Sequence, residues 1–171
     1  MRSVDAKFLI AEIASGNKKR RREATETIAK FDHDSDVDVS VFVSSLTSTD
    51  NDVVFWSVIA VEHLGERGSA AIPHLLPLLH HEALFVRQTA VKALAAVGPR
   101  DERAKAAVFR SFADLSPFVR REALQACIHL RDLSADQLAH IHAMAADPDE
   151  AVSSWSEIAL RNIRISEQRR A

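Results

Sequence analysis

Histidine is the residue type of this chain that most readily suggests metal or acid–base chemistry. Eight histidines occur among its 171 residues; the densest group is His80-His81-Glu82, and His140 and His142 fall in one predicted helix. Metal ligands on a helix share a face only at i, i+3 or i, i+4 spacing, whereas His140 and His142 point about 200° apart. The spacing does not favour a metal site, and we predict none.

The signatures of other chemistry are missing from the sequence. Its single cysteine, Cys127, excludes an internal disulfide, and no Cys/His cluster has zinc-ligand spacing. There is no Gly-rich phosphate loop, no nucleophile elbow and no Ser/His/Asp arrangement with a recognisable spacing. We therefore expect no catalytic residue, no cofactor and no metal, and we predict that the protein is not an enzyme.

Composition favours an all-α protein. Of the residues, 47% are hydrophobic, which is enough for a continuous core, and there are four glycines, five prolines and no tyrosine. A formal net charge of -2 gives no general attraction to nucleic acid or to an anionic membrane. The first residues lack the apolar stretch of a signal peptide, and no apolar run is long enough to span a bilayer. We expect a soluble, cytoplasmic protein with no membrane role.

An apolar helical pattern recurs along the chain with a period of 33 residues. Its most regular copy is Phe85–Gly98, FVRQTAVKALAAVG. Shifting the sequence by one period overlays that copy on residues 52–65 and 118–131, and a second period downstream overlays it on residues 151–164. Periods of about 20–50 residues are typical of solenoids, in which each repeat packs only on its neighbours.

The repeat aligns apolar residues in columns, which predict the core. In the first helix of each repeat the columns are Leu9, Phe42, Leu75, Val108, Ile141 and Ile13, Leu46, Leu79, Phe112, Ala145. In the second helix they are Ile28, Val61, Leu94, Cys127, Leu160 and Phe31, Leu64, Val97, Leu130, Ile163. One more column contains only small residues: Ala24, Ser57, Ala90, Ala123 and Ser156. Because a larger side chain would force two helices apart, this column predicts close approach of another helix.

The columns divide the chain, 1–171, into a single domain of five helical hairpins. The predicted helix pairs are 4–14 with 18–31, 36–47 with 51–64, 70–80 with 84–97, 101–113 with 117–130, and 135–146 with 150–164. The repeats run approximately over 4–33, 36–66, 70–98, 101–131 and 135–165. Breaker clusters such as Gly98-Pro99 lie at the predicted junctions, and Ser134 with Gln137 has the pattern of a capping box.

The repeated residues of the second helices resemble the motif of a known family. The pattern V-R-x-x-A-x-x-A-L followed by Gly, present at Val86–Gly98 and in part at Val119–Ala123, looks like the short HEAT-like repeats also found in bilin lyases. The resemblance covers essentially the whole chain and implies a right-handed α-solenoid whose usual role is binding. Ankyrin and tetratricopeptide repeats have similar periods, but their signature residues are missing.

The resemblance also implies a structural role for two arginines. HEAT repeats often have an Asp at the turn between the two helices and an Arg six residues later, and these residues form a ladder between neighbouring repeats. Asp114 and Arg120 match that spacing, whereas His81 stands in the Asp position before Arg87, and the last repeat lacks the arginine. We interpret Arg87 and Arg120 as structural members of an incomplete ladder.

In such a solenoid the second helices line an inner groove, and their non-core positions are candidate contact residues. Large apolar groups mix there with charged ones, which is the make-up of protein-binding hot spots. The candidate partner-binding residues are Phe55, Trp56, Ile59, Gln88, Lys92, Arg121, Glu122, Gln125 and Trp155. An alternative interpretation is that Trp56 and Trp155 pack on the core. Phe85 and Phe118, at predicted helix starts, are interpreted as staples that close the turns.

These residues predict a non-catalytic module, monomeric or nearly so, that binds another protein in the groove. Small bacterial solenoids similar to this chain include proteins that neutralise a cognate toxin, which makes a stoichiometric inhibitor or immunity-type protein one form of this prediction. They also include bilin lyases and chaperones, which remain an alternative. The HEAT-like di-iron enzyme deoxyhypusine hydroxylase uses repeated His-Glu dipeptides. This chain has one, His81-Glu82, so that activity is not supported.

Nucleic acid is the main alternative partner, because the alkylpurine DNA glycosylases, which are similar solenoids, hold DNA in a basic groove. The residues available for such a groove are Arg22, Arg87, Lys92, Arg120, Arg121 and Arg131. The same helices carry Glu23, Glu26, Glu62 and Glu122, and phosphate binding usually requires charge of one sign. The sequence therefore favours a protein partner over nucleic acid.

Overall fold

The computed structural model describes residues 5–31 and 36–169, and ten α-helices lie within them. They are α1 (Ala6–Ala14), α2 (Lys18–Ile28), α3 (Val39–Ser45), α4 (Asn51–His63), α5 (Ile72–Leu75), α6 (Leu84–Val97), α7 (Glu102–Arg110), α8 (Pro117–Cys127), α9 (Ala135–Ala143) and α10 (Glu150–Gln168). The predicted helix start at residue 4, and residues 32 and 33 at the end of the first predicted repeat, lie outside the described residues.

The helices form two layers. Each odd-numbered helix packs against the even-numbered helix that follows it, and α4, α6, α8 and α10 also pack side by side in that order. The protein is therefore an all-helical solenoid of stacked hairpins, as the sequence predicts. We use "inner face" for the side of the even-numbered helices that points away from the odd-numbered layer.

The first helix of the third repeat differs from the prediction. Residues 70–80 were expected to be one α-helix, but α5 is only four residues long and is flanked by 3-10 segments at Gly65–Ala71 and Leu76–His80. Pro73 and Pro77 explain the difference, because proline lacks the N–H of the α-helical hydrogen bond and its ring clashes with the preceding turn. The segment still buries Ile72 and Leu75 in the core.

Most of the predicted core columns are buried. Every member of the column from Leu9 to Ile141 is buried, as is every member of the column from Phe31 to Ile163. Leu79 and Leu160 are half-buried against the core. Ala145 was assigned wrongly: it is exposed, because α9 ends in a 3-10 segment in which Met144 faces the core instead. Cys127 is fully buried, and desolvation raises the pKa of its thiol, so it serves as a core residue.

The column of small residues marks a close helix–helix approach, as predicted. Ala24, Ser57, Ala90, Ala123 and Ser156 are all buried. The approach is visible directly in the last repeat, where the Ser156 hydroxyl on α10 donates to the backbone carbonyl of Ile141 on α9 at 2.8 Å. A larger side chain at these positions would collide with the backbone of the neighbouring helix.

Side-chain caps fix several helix starts. The predicted capping box is present: the Ser134 hydroxyl accepts from the Gln137 amide at 3.2 Å, and the Gln137 side chain accepts from the Ser134 amide at 2.9 Å. Among the even-numbered helices, α2, α4 and α10 are capped by Asn17, Asp50 and Asp149. No side chain caps α6 or α8.

Candidate functional site

Two arginine–aspartate pairs hold repeats three, four and five together. Arg87 donates through Nε and Nη2 to both carboxylate oxygens of Asp114, at 2.9 and 3.2 Å. Arg120 makes the same bidentate contact with Asp147, at 2.7 and 2.8 Å. The third guanidinium nitrogen bonds a backbone carbonyl of the arginine's own turn: His81 for Arg87 and Asp114 for Arg120, each at 3.0 Å. Both arginines are therefore structural, as the sequence predicts.

The direction of these pairs explains why the ladder looked incomplete in the sequence. The side chain of each arginine binds the aspartate carboxylate of the following repeat, not the residue at that position in its own repeat. The histidine at position 81 therefore does not interrupt the ladder at Arg87.

The position of the aspartate also has a second role that sequence reasoning missed. In every repeat the side chain at this position accepts a hydrogen bond from the backbone amide two residues later. The accepting residues are Ser15, Ser48, His81, Asp114 and Asp147. A polar acceptor at each turn was the signal.

The Arg120–Asp147 pair makes stability depend on pH. Hydrogen bonds from Arg120 lower the pKa of Asp147 below its ordinary value. A carboxyl whose pKa is lowered by folding contributes stability above its unfolded-state pKa, about 3.9, and loses it as pH falls through the folded-state pKa. We expect the difference in free energy of unfolding between wild type and Asp147→Asn to shrink as pH is lowered from about 6 to about 2. A difference that stays constant in acid denaturant titrations would contradict this assignment.

The apolar candidate residues form a half-buried cluster on the inner face. The Phe55 ring contacts Trp56 on the same helix, with centroids 5.2 Å apart, and Phe85 on α6 at 5.5 Å, both edge to face. Phe55, Trp56 and Ile59 pack partly against the core and are neither buried nor fully exposed. Trp155 on α10 is also half-buried and packs partly against the core. These residues thus combine packing with a surface that a partner can reach.

Three of the polar candidate residues bind side chains of neighbouring helices. Gln88 on α6 donates to the Glu122 carboxylate on α8 at 3.1 Å. Lys92 pairs with Glu62 on α4 at 2.9 Å, and its pKa is raised mainly by that hydrogen bond. Gln125, three residues after Glu122 on α8, is half-buried. Arg121 differs, because its guanidinium lies 5.8 Å from the centroid of the Phe118 ring and pairs with no carboxylate among the described residues.

The same pairing decides against a basic groove. Of the six cations that could have lined one, Arg87 and Arg120 belong to the ladder, and Lys92 is paired with Glu62. Arg22 pairs with Glu26 at 2.7 Å, and Arg131 lies 3.8 Å from Glu66. The inner face therefore lacks, in the part of the chain that the structure describes, the continuous stripe of free positive charge that phosphate binding requires.

Of the six large apolar side chains that are exposed among the described residues, four lie at the turns before α6 and α8, where the sequence had not placed a site. Phe85 is 42% exposed and Phe118 53%, and Leu84 and Leu115 beside them are exposed too. The interpretation of Phe85 and Phe118 as staples was wrong. Each is the second residue of its helix, after Leu84 and Pro117, whereas a staple pairs the residue before the N-cap with the fourth residue of the helix. We use "turn-edge patch" for Leu84, Phe85, Leu115 and Phe118.

The histidines have local roles. The His140 ring stacks on Phe109, with centroids 5.7 Å apart, and meets the edge of Phe112 at 5.3 Å. Nδ1 of His81 accepts from the Ala83 amide at 3.1 Å. Within residues 5–31 and 36–169, no three His, Cys, Asp or Glu side chains are grouped as metal ligands. None of the helices described there has the length and apolar character needed to cross a bilayer.

Comparison with known proteins gives the family and the fold. A family model for HEAT repeats matches residues 6–95, 56–128 and 73–161. No curated protein sequence matches the chain.

Three solved structures illustrate the fold. In the complex of CpcE and CpcF of phycocyanin lyase from Nostoc sp. PCC7120, the match has 18% identity, covers 90% of this chain and 96% of that chain, and has a TM-score of 0.72. A designed armadillo repeat protein in complex with the peptide (KR)4 matches at 17% identity, 91% and 80% coverage, and a TM-score of 0.64. The archaeal HEAT-like repeats protein from Thermococcus onnurineus NA1 matches at 12% identity, 92% and 70% coverage, and a TM-score of 0.54. At these identities the similarity shows the fold alone.

Proposed function

We propose that this chain, which belongs to the HEAT-repeat family, is a non-catalytic module that binds a segment of another protein on the inner face of its solenoid. The family's fold commonly mediates protein interactions. The partner would be held in a one-to-one complex, the form expected of a stoichiometric inhibitor or an immunity-type protein. Recognition would rest on shape, apolar burial and a few charges.

The observation that carries this proposal is the aromatic surface shared by three neighbouring helices. Phe55 of α4 contacts Trp56 of the same helix and Phe85 of α6, and Phe118 of α8 follows with Arg121 over its ring. Aromatic residues and arginine dominate the energetics of protein interfaces. Phe85 and Phe118 are exposed, and Phe55 and Trp56 pack only partly against the core, so a partner can reach all four rings.

The electrostatics of the inner face support a partner of low charge. Lys92 and Glu62 neutralise each other, as do Arg22 and Glu26. The designed armadillo protein was solved with the basic peptide (KR)4. Glu62 and Glu26 are already paired with Lys92 and Arg22, so we expect (KR)4 to bind this chain weakly and only at low salt.

Selection from a random peptide library displayed on phage tests the proposal, with the protein immobilised as bait. Enriched sequences would be synthesised and titrated calorimetrically against the wild type. We expect one-to-one binding that the double variant Trp56→Ala/Arg121→Glu loses, and that the control Phe8→Ala/Arg164→Glu retains. Phe8 is 58% exposed on α1, and Arg164 is exposed near the end of α10. Circular dichroism would establish that both variants fold. Equal binding by wild type and the Trp56/Arg121 variant would refute the inner-face assignment.

A further inference from the structure

We infer that the turn-edge patch is the anchoring point of the partner, and that its occupant is an apolar polypeptide segment carrying one acidic side chain, whose carboxylate pairs with Arg121. This inference rests on the proposed function and adds the chemistry of the bound segment and its position on the solenoid. It is carried by exposure, rigidity and charge at two neighbouring turns.

Exposure is the first argument. Leu115, at the turn between α7 and α8, is 97% exposed, so its side chain contributes almost nothing to the core. At the equivalent turn positions the other repeats have Gly16, Thr49, Glu82 and Pro148. A single exposed leucine is ordinary, but this one lies three residues before Phe118. Phe85, next to Leu84, occupies the position equivalent to Phe118 one repeat earlier, and all four side chains are exposed. A grouped apolar surface of this kind marks an interaction site.

The turn that carries Leu115 is held rigidly by the ladder. The Asp114 carboxylate accepts from the Ser116 amide at 2.8 Å while it also binds Arg87. Nη1 of Arg120 donates to the carbonyl of Asp114 at 3.0 Å and to that of Leu115 at 3.4 Å. The backbone on both sides of the exposed side chain is thus fixed before any partner arrives. A preorganised anchor loses little conformational entropy on binding, which raises affinity.

The space beside Leu115 can receive an apolar group. A cleft of about 520 Å³ separates the turn before α6 from the turn before α8. Leu79, Ala113 and Leu115 contribute its apolar lining, beside polar groups that include Glu82 and Arg110. An apolar side chain of the partner can therefore contact Leu115 and Leu79 together while the main chain passes over the turns.

Arg121 and two helix starts contribute positive charge at this edge of the inner face. Arg121 lies over Phe118 without a carboxylate partner among the described residues. The amino ends of α6 and α8 lie at the same edge and have no side-chain cap, in contrast to α2, α4 and α10. An uncapped helix start carries partial positive charge on its free amides. Together these features favour a carboxylate next to Phe118.

Two carboxylates of the protein limit the partner to few acidic groups. Glu82 is exposed at the first of the two turns, and Glu122, next to Arg121, accepts only the amide of Gln88. A run of acidic residues in the partner would be repelled by both. A segment with one acidic residue is complementary to this surface: its carboxylate pairs with Arg121, and its apolar neighbours contact Leu115 and Phe118.

The test uses the peptides enriched on the wild-type protein. We expect them to contain aliphatic or aromatic residues around one Asp or Glu. Leu115→Ser and Phe118→Ala should each weaken their binding at least tenfold, whereas the exposed control Phe8→Ala should leave it unchanged. Arg121→Glu should weaken binding similarly, and replacing the acidic residue of the peptide by Lys should restore binding to that variant. Such reciprocal rescue would establish the pairing.

The possible failures are distinct. Enriched peptides without an acidic residue, or binding indifferent to Arg121→Glu, would overturn the inference. Peptides that depend on Trp56 but bind Leu115→Ser and Phe118→Ala as tightly as wild type would also overturn it, while leaving the proposed function intact. Absence of any enriched peptide would overturn both. Sedimentation with phosphatidylserine vesicles that Leu115→Ser abolishes would assign the patch to a lipid surface and refute the inference.

Discussion

Replacing Arg120 by methionine should lower the free energy of unfolding by about 3 kcal/mol or more. Methionine keeps much of the aliphatic volume but leaves the Asp147 carboxylate, whose side chain is 5% exposed, without the cation that it faces. It also leaves the carbonyls of Asp114 and Leu115 without their donor. Urea denaturation followed by far-ultraviolet circular dichroism would measure the loss, with an unchanged m-value as evidence of two-state unfolding.

Two further variants separate the buried charge from other effects of the substitution. Arg103→Met removes an arginine that also pairs with an aspartate, Asp101, but whose side chain is 64% exposed, so it should cost under about 1 kcal/mol. The double variant Arg120→Met/Asp147→Asn should recover most of the stability, because no unpaired charge stays buried and the asparagine oxygen can still accept from Asp149. A loss in Arg120→Met no larger than in Arg103→Met would refute the structural role of the ladder.

Ala123→Leu should destabilise the protein by about 3 kcal/mol, at the upper end of the cost of overpacking a core. Ala123 is fully buried in the column of small residues, where the helices of one repeat approach most closely. The added atoms have no space unless α7 and α8 separate, and separation would disturb the packing of α8 on α6 and α10 as well. Thermal unfolding monitored by calorimetry would detect a clearly lowered Tm.

The matched control is Ala106→Leu, an alanine on α7 that is exposed. Alanine and leucine have similar helix propensities, so this change should alter stability by less than about 0.5 kcal/mol. If Leu at position 123 proved as harmless as Leu at position 106, the close approach inferred from the column of small residues would be wrong.

The fold was predictable because each repeat is subject to the same constraint. A helix that packs on two neighbours needs apolar residues at fixed positions, so Leu9 and its equivalents recur every 33 residues, and the small column follows from helix spacing. The errors have local causes. Pro73 and Pro77 converted an expected α-helix into 3-10 segments, and the last turn of α9 exchanged Ala145 for Met144.

The site was less predictable, because exposure is not a property of sequence pattern. Phe118 follows a proline at a helix start, a position where an aromatic ring can either close the turn or point outward, and only the three-dimensional packing distinguishes the two. Leu115 was missed for a related reason. It lies in a turn, outside the repeated helix positions, so an apolar residue there does not alter the 33-residue pattern. The ladder shows the opposite case, since the resemblance to HEAT repeats identified Arg87 and Arg120 as structural although their partners belong to the next repeat.

The most direct test of the account is to map the contact surface by nuclear magnetic resonance. Isotope-labelled protein would be titrated with a peptide enriched by the library selection, and the perturbed backbone amides would be located in the fold. We predict that the largest shifts cluster on the inner face of α4, α6 and α8, around Trp56, Phe118 and Arg121. Shifts confined to the odd-numbered helices α1, α3, α7 and α9 would contradict the central claim that the inner face is the binding surface.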